Sequence, residues 1–382
     1  MHLALNVIAA VCALLALAGA SYFGLCVWAA GRFRRKSATV GDFAPPVSLL
    51  KSLKGLDPHM YEAFRSHCLQ DYGEYELLFG VSDPKDPALA LVIRLQREFP
   101  LRAVRVVACP RSLGLNGKVS TLAQMLPQAR YEHILINDSD IVAGHDYLRR
   151  VMREFAGEHV GMVTTLYRGL AGKTLPSRIE ALGLGTDFMG GVLVAREMEG
   201  GVRFALGATI ATTKTVLREI GGLEALVDHL GDDYELGART AAAGYNVALA
   251  DAVVETALPD YTWREFWAHQ MRWARNVKDR RRAQYFGLIV TFGLAWGIFA
   301  VLTAPRAWWA WAALTIVAFF RISAAVTIGR GVLDDPSVLR DLWLLPPRDF
   351  AVLGVWLASF AGDEIEWRGL KFRVRDGKLE RM

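Results

Sequence analysis

From Leu3 to Ala30 the chain carries no charged residue. A run of that length exceeds the ~20 apolar residues a helix needs to cross a bilayer, and in lipid only a helix or a closed barrel satisfies its own backbone. No Lys or Arg precedes it and it is too long for a cleaved leader, so residues 1–31 are read as a retained anchor. The cluster Arg32-Phe33-Arg34-Arg35-Lys36 follows directly. By the positive-inside rule, residue 32 onward is cytoplasmic and the N-terminus lies outside. Toward the other end, Tyr285–Ala304 is uncharged, and after Pro305-Arg306 the run Ala307–Gly329 can return, interrupted by Arg321. That arginine is expected to snorkel to an interface, the alternative being a partner inside the protein. Leu342–Phe360 is broken by Pro346-Pro347-Arg348-Asp349, and the intact piece Phe350–Ala361 is too short to span. It is read as re-entrant or interfacial rather than as a further span. One N-terminal segment and two to three C-terminal segments within 285–362 therefore bracket the chain, and the basic tail 363–382 suits a small β-hairpin.

The remainder cannot be membrane. At 22% charged the chain is too polar for an all-membrane transporter, and at 53% hydrophobic it is too apolar for an ordinary soluble enzyme. The net charge of +5 sits largely on arginines beside the apolar runs, which favours a membrane surface over nucleic acid; no nucleic-acid motif is present. Cys12, Cys26, Cys68 and Cys109 form no C-x-x-C pair, so neither a thiolate metal site nor a disulfide framework follows.

From Val47 short β-rich runs alternate with helical stretches. Strands are expected at Val47–Leu53, Tyr75–Val81, Val104–Ala108, His133–Ile136, Val160–Leu166, Asn246–Ala250 and Val253–Ala257. Helices are expected at Pro58–Gln70 with Asp57 as N-cap, Pro87–Phe99, Gly117–Leu126 capped by Asn116, Ile179–Met189, Lys214–Ile220, and from Asp232 to about Ala243. Phe204–Thr212 reads as an apolar strand or loop with a close-approach glycine. The alternation specifies an α/β fold with a doubly wound, mostly parallel sheet over residues 32–258. No G-x-G-x-x-G follows the first strand and there is no P-loop, which disfavours dinucleotide and P-loop chemistry. Thr262-Trp263-Arg264-Glu265 has capping-box spacing. It opens a helix in 259–284 rich in Trp263, Trp267 and Trp273, which lies either at the membrane interface or against a protein core.

The strand His133–Ile136 runs into Asn137-Asp138-Ser139-Asp140. Ligands of open α/β sheets gather beyond the carboxyl ends of the strands. Two carboxylates there suit Mg²⁺ or Mn²⁺ with a phosphate-bearing ligand. Asp83 ends the second strand, Asp232-Asp233 opens a later helix, and His269-Gln270-Met271-Arg272-Trp273 lies downstream. This ordered set resembles the inverting glycosyltransferases of GT-A fold, whose pattern is D, D-x-D, (E/D)-D and (Q/R)-x-x-R-W. More narrowly it resembles ceramide glucosyltransferase and its bacterial relatives, the hopanoid-pathway glycosyltransferases among them. Leu50-Lys51-Ser52-Leu53-Lys54-Gly55-Leu56-Asp57 and Val81-Ser82-Asp83-Pro84-Lys85-Asp86-Pro87-Ala88 also carry the resemblance, as does the anchor–domain–segments layout. His269 departs from the pattern where Gln or Arg is usual.

The resemblance implies a UDP-sugar donor, a membrane lipid acceptor and metal dependence. Within it, Asp140 with Asp138 would hold the cation, Asp83 and Asp138 would meet the donor nucleotide, and Asp233 would be the catalytic base. Asp232 beside Asp233 would raise its pKa by like-charge repulsion; the alternative is two carboxylates favoured by a helix N-terminus. Arg272 would contact the diphosphate. Trp273 and Trp267 would serve the acceptor side or anchor the helix. Lys51, Lys54 and Lys118 either approach the phosphates or are surface charge. The expected activity is transfer of N-acetylglucosamine to a hopanoid polyol, bacteriohopanetetrol, at a bacterial inner membrane. The alternatives are glucose to ceramide, or a processive polysaccharide synthase, for which the spans are too few.

Overall fold

The alternating middle of the chain builds an eight-stranded sheet. A computed structural model describes residues 2–35, 42–367 and 370–382. Lys36 of the basic cluster and Arg368-Gly369 of the tail lie outside the described residues. Two compact units emerge: Ala38–Gly172 with Met198–Pro259 and Gly377–Met382, and Met1–Ser37 with Lys173–Glu197 and Asp260–Asp376. The expected contiguous block 32–258 is thus interrupted, because Lys173–Glu197 groups with the apolar segments.

In the sheet unit the strands are β1 (Val47–Leu53), β2 (Tyr75–Val81), β3 (Ala103–Ala108), β4 (His133–Ile136), β5 (Ile141–Val142), β6 (Val160–Leu170), β7 (Ile210–Thr213) and β8 (Asn246–Ala257). Their order is β3-β2-β1-β4-β7-β6-β8-β5. β1, β2, β3 and β4 are parallel, as are β6 and β8; β7 is antiparallel to β4 and β6, and β5 to β8. β2 is buried along its whole length and β1 at all but Ser52, as strands covered on both faces must be. With Leu53 opposite Val81 and Leu50 opposite Ile136, the carboxyl ends of β2, β1 and β4 lie side by side.

Most expected elements are observed; the departures have local causes. The second helix begins at Met60 rather than Pro58. Asp57 is no side-chain cap, because its carboxylate accepts from the Ser139 hydroxyl at 2.7 Å. The two strands expected at 246–257 are one strand, β8, which follows β6 through a register shift after Thr165 that absorbs the polar break at Asp251. The helix expected at 179–189 extends from Leu175 to Met198 through a π-helical turn at Leu184–Phe188.

In the second unit, three helical stretches are long and apolar enough to cross a membrane: Ala4–Arg35, Arg282–Thr303 and Trp308–Arg330. Small residues let them approach closely: a Cβ on Gly19 would stand 2.6 Å from Gly293 Cα. Leu345–Ser359 is a shorter helix of 15 residues. Arg321 does not snorkel. It is fully buried, and its guanidinium meets Asp349 at 3.1 Å and Asp187 at 2.9 Å. Two carboxylates within reach make an internal ion pair better than a long path to water. The capping box at Thr262 and Glu265 opens the helix Trp263–Arg280 as expected. Strands Glu364–Trp367 and Leu370–Arg375 pair antiparallel in the tail.

Candidate active site

The site grows from the end of β4. Asn137 is buried, and its amide donates to Ala208 O at 2.6 Å and to the Tyr147 hydroxyl at 3.0 Å. That ties the strand end to the turn Leu206–Thr209, which Thr164 of β6 also organises by accepting from Leu206 N–H and donating to Thr209 O. Asp138 follows. Lys51 of β1 donates to its carbonyl at 3.0 Å. Lys51 is 1% exposed, so it is not surface charge; burial lowers its pKa to about 7, partly offset by Asp140 and Asp138.

Asp232 and Asp233 open the helix Asp232–Ala242. Both expected readings hold at once, since the pair sits in the first turn yet also faces the β4 end. Gly237 lies one turn after Asp233 on the same helix face. A Cβ on Gly237 would stand 2.2 Å from Ala205 N and from Phe204 C, so only glycine lets the helix lie this close to the 204–207 backbone. At that distance Gly207 N–H donates to Asp233 Oδ2 at 3.0 Å, and Tyr234 N–H donates to Oδ1 at 2.7 Å. A Cβ on Gly207 would meet Asp233 Oδ2 at 3.2 Å and Asp138 Oδ2 at 3.3 Å. Gly207 is therefore the close-approach glycine of the sequence pattern, and two carboxylates converge on the space above it.

Lys118 completes the cluster from the first turn of the helix Gly117–Met125, which Asn116 caps through Lys118 N–H and Val119 N–H. Its ammonium is 2.6 Å from Asp138 Oδ1 and 3.5 Å from Asp232 Oδ2. Burial works against that charge, but Asp138 and Asp232 override it and raise the pKa. Asp233 is pushed up to about 6, first by burial and then by the charge of Asp232, against Lys118 and the Tyr234 N–H. Asp140 is likewise raised to about 6 by burial and by Asp138. Its Oδ2 accepts from the Thr256 hydroxyl of β8.

The structure thus gathers Asp138, Asp232 and Asp233 around Lys118, with Asp140 alongside on Thr256. Asp83 and Lys54 are exposed beyond the ends of β2 and β1; the Asp83 carboxylate accepts locally from Lys85 N–H at 2.8 Å. Trp267, Arg272 and Trp273 belong to the other unit, on the helix Trp263–Arg280. There Arg272 lies over the Trp367 ring at 5.9 Å and Trp273 meets Phe188 edge to face at 5.5 Å.

The sequence pattern that defines glycosyl transferase family 21 matches residues 8–380. This chain belongs to that family. It is a sugar-transferring enzyme. Ceramide glucosyltransferase 1 of Caenorhabditis elegans is 23% identical over 87% of this chain and 72% of its own length. Ceramide glucosyltransferase 3 of the same organism is 27% identical over 54% of this chain and 45% of its own length. Among solved structures, the mannosyltransferase PcManGT from Pyrobaculum calidifontis, in complex with GDP-mannose and Mn²⁺, superposes with a TM-score of 0.57 at 22% identity. That likeness covers 94% of this chain and 97% of the other, and it is one of fold. In this family 21 enzyme, sequence reasoning missed Thr256 and left Lys118 undecided. Thr256 carries no local signal, because only strand pairing brings β8 beside Asp140. The cap at Asn116 was legible, but not the direction in which the next residues point.

Proposed function

We propose that the enzyme transfers a sugar from a UDP-sugar to a hydroxyl of a membrane lipid with inversion at the anomeric carbon. One observation carries the reading: Asp233 and Asp138 converge over Gly207, one carboxylate raised in pKa and the other neutralised by Lys118. Asp233 takes the proton of the acceptor hydroxyl as the acceptor oxygen bonds the anomeric carbon, and the bond to UDP breaks on the opposite face. Gly207 N–H and Tyr234 N–H orient the base. Asp138 and Asp140 would hold a divalent cation. Their donors are hard oxygens, and a cation such as Mg²⁺ is commonly held by one or two carboxylates plus substrate phosphates. That fits a site where, among the described residues, no group of three or more ligating side chains forms a cage. When bound, the ion offsets charge on the departing diphosphate. Asp83, Lys54 and Arg272 are assigned to the donor, and Trp267, Trp273 and Asp232 to the acceptor side.

Three stretches long enough to span and the basic cluster after the first support a multi-pass enzyme of the bacterial inner membrane with its sheet unit cytoplasmic. For the acceptor, the sequence resemblance favours N-acetylglucosamine to bacteriohopanetetrol, whereas the named relatives favour glucose to ceramide. The test offers purified protein both UDP-sugars and both lipids with Mg²⁺ or Mn²⁺, and identifies products by mass. A single-sugar lipid is expected; no glycolipid from folded protein overturns the reading, and a polymer points to a processive synthase. Asp233→Asn should lose ~10²–10⁴-fold in turnover while keeping UDP binding.

A further inference from the structure

Glu180 lies outside every motif above. It is 5% exposed, on the helix Leu175–Gly183. Its two oxygens face consecutive residues of the Trp263–Arg280 helix: Oε1 is 3.0 Å from His269 Nδ1, and Oε2 accepts from Gln270 Nε2 at 2.6 Å. Successive residues stand ~100° apart around a helix, so one carboxylate holding both resists rotation about the axis in either sense. Farther along the same segment, Phe188 packs on Trp273. The π-helical turn Leu184–Phe188 separates these two attachments. Asp187 within it is tied to Arg321 at 2.9 Å and to Arg348 at 2.6 Å. A single segment therefore grips the motif helix at 269–270 and at 273, and is itself clamped to a spanning helix. His269 stands where the family pattern has Gln or Arg, and Tyr261 stacks on it with ring centroids 5.6 Å apart.

We propose that Glu180 is a positioning residue for sugar transfer, setting the rotation of the helix that presents Arg272 and Trp273 by holding His269 and Gln270 together. The activity part of this inference rests on the glycosyl-transfer reading; the structural part does not.

The experiment uses the full-length protein in detergent, as wild type, Glu180→Ala, Glu180→Gln and the double variant Glu180→Gln/His269→Gln. Hydrogen exchange of the Trp263–Arg280 amides should accelerate about tenfold in Glu180→Ala, with the sheet unit unchanged. With UDP-sugar and lipid, kcat should fall ~10–100-fold while the donor KM stays within about twofold. Glu180→Gln should lie between, and adding His269→Gln should recover much of its loss, since two amides can pair where a neutral amide and an imidazole do not. Unchanged helix exchange in Glu180→Ala overturns the proposal, as does a lowered melting temperature with wild-type kcat in the folded fraction. If wild type transfers no sugar to any lipid, the functional reading fails and helix exchange alone decides the role of Glu180.

Discussion

Gly237→Ala pits two physical effects of opposite sign against each other in this site. Alanine inside a helix is favoured over glycine by ~1 kcal/mol, so on propensity alone the variant should be more stable. The structure reverses the sign. The new Cβ would sit 2.2 Å from Ala205 N and Phe204 C and 2.5 Å from Phe204 Cα. Ordinary carbon contacts need about 3.5 Å, so the helix must withdraw by about 1 Å. The obstructing atoms are backbone, and no rotamer change relieves them. Overpacking of this kind costs ~1–3 kcal/mol, which outweighs the propensity gain. The same withdrawal lengthens the 3.0 Å bond from Gly207 N–H to Asp233, and a misplacement of about 1 Å at a reacting group can cost ~10²-fold in rate. Gly237→Ala should therefore lower the melting temperature by a few degrees, at ~2–4 °C per kcal/mol, and reduce kcat ~10²-fold, approaching Asp233→Asn in rate but not in stability. Gly117→Ala is the control: nothing lies within 4 Å of its Cβ position, and both stability and rate should hold. Melting followed by tryptophan fluorescence and turnover measured as labelled glycolipid read the two arms. A Gly237→Ala enzyme with wild-type melting and a rate within about threefold of wild type would refute the close-approach argument.

Arg321→Met should cost ~3–5 kcal/mol, since it leaves Asp349 buried without its main partner; Arg321→Met/Asp349→Leu should recover much of that in thermal melts, and additive losses would contradict the pairing. Glu76 is fully buried and bound by the Ser48 hydroxyl, Arg130 N–H and Arg105. Burial alone would raise its pKa, but these donors override it and hold the carboxyl below its model value of 4.5. A depressed folded pKa means its contribution is complete above pH 4.5 and is lost as pH falls toward the folded value. The stability gap between wild type and Glu76→Gln should therefore shrink below pH 4.5 in acid titrations; a gap that widens there would reverse the assignment. Thr256→Val removes the hydroxyl on Asp140 and should weaken Mn²⁺ affinity ~10–100-fold in calorimetric titrations with UDP present, leaving melting little changed.

Much of this protein was legible residue by residue because the signals are local. An uncharged run such as Leu3–Ala30 has one fate in lipid. Strands β1 and β2 follow from short apolar runs, Asn116 and Thr262 announce helix starts, and the order of Asp83, Asp138-Ser139-Asp140, Asp232-Asp233 and Arg272-Trp273 points to the family. Tertiary structure alone decided what depends on distance between elements. It buried Lys51 under Asp138, set Lys118 between Asp138 and Asp232, brought Thr256 to Asp140, and paired Arg321 with Asp187 and Asp349 where the sequence suggested snorkelling. It also showed His269 and Gln270 sharing Glu180, a residue some ninety positions earlier with no pattern of its own. The reason is physical: propensity, capping and hydrophobic period act over a turn or two of chain, whereas the partner of a buried charge is chosen by which elements pack together.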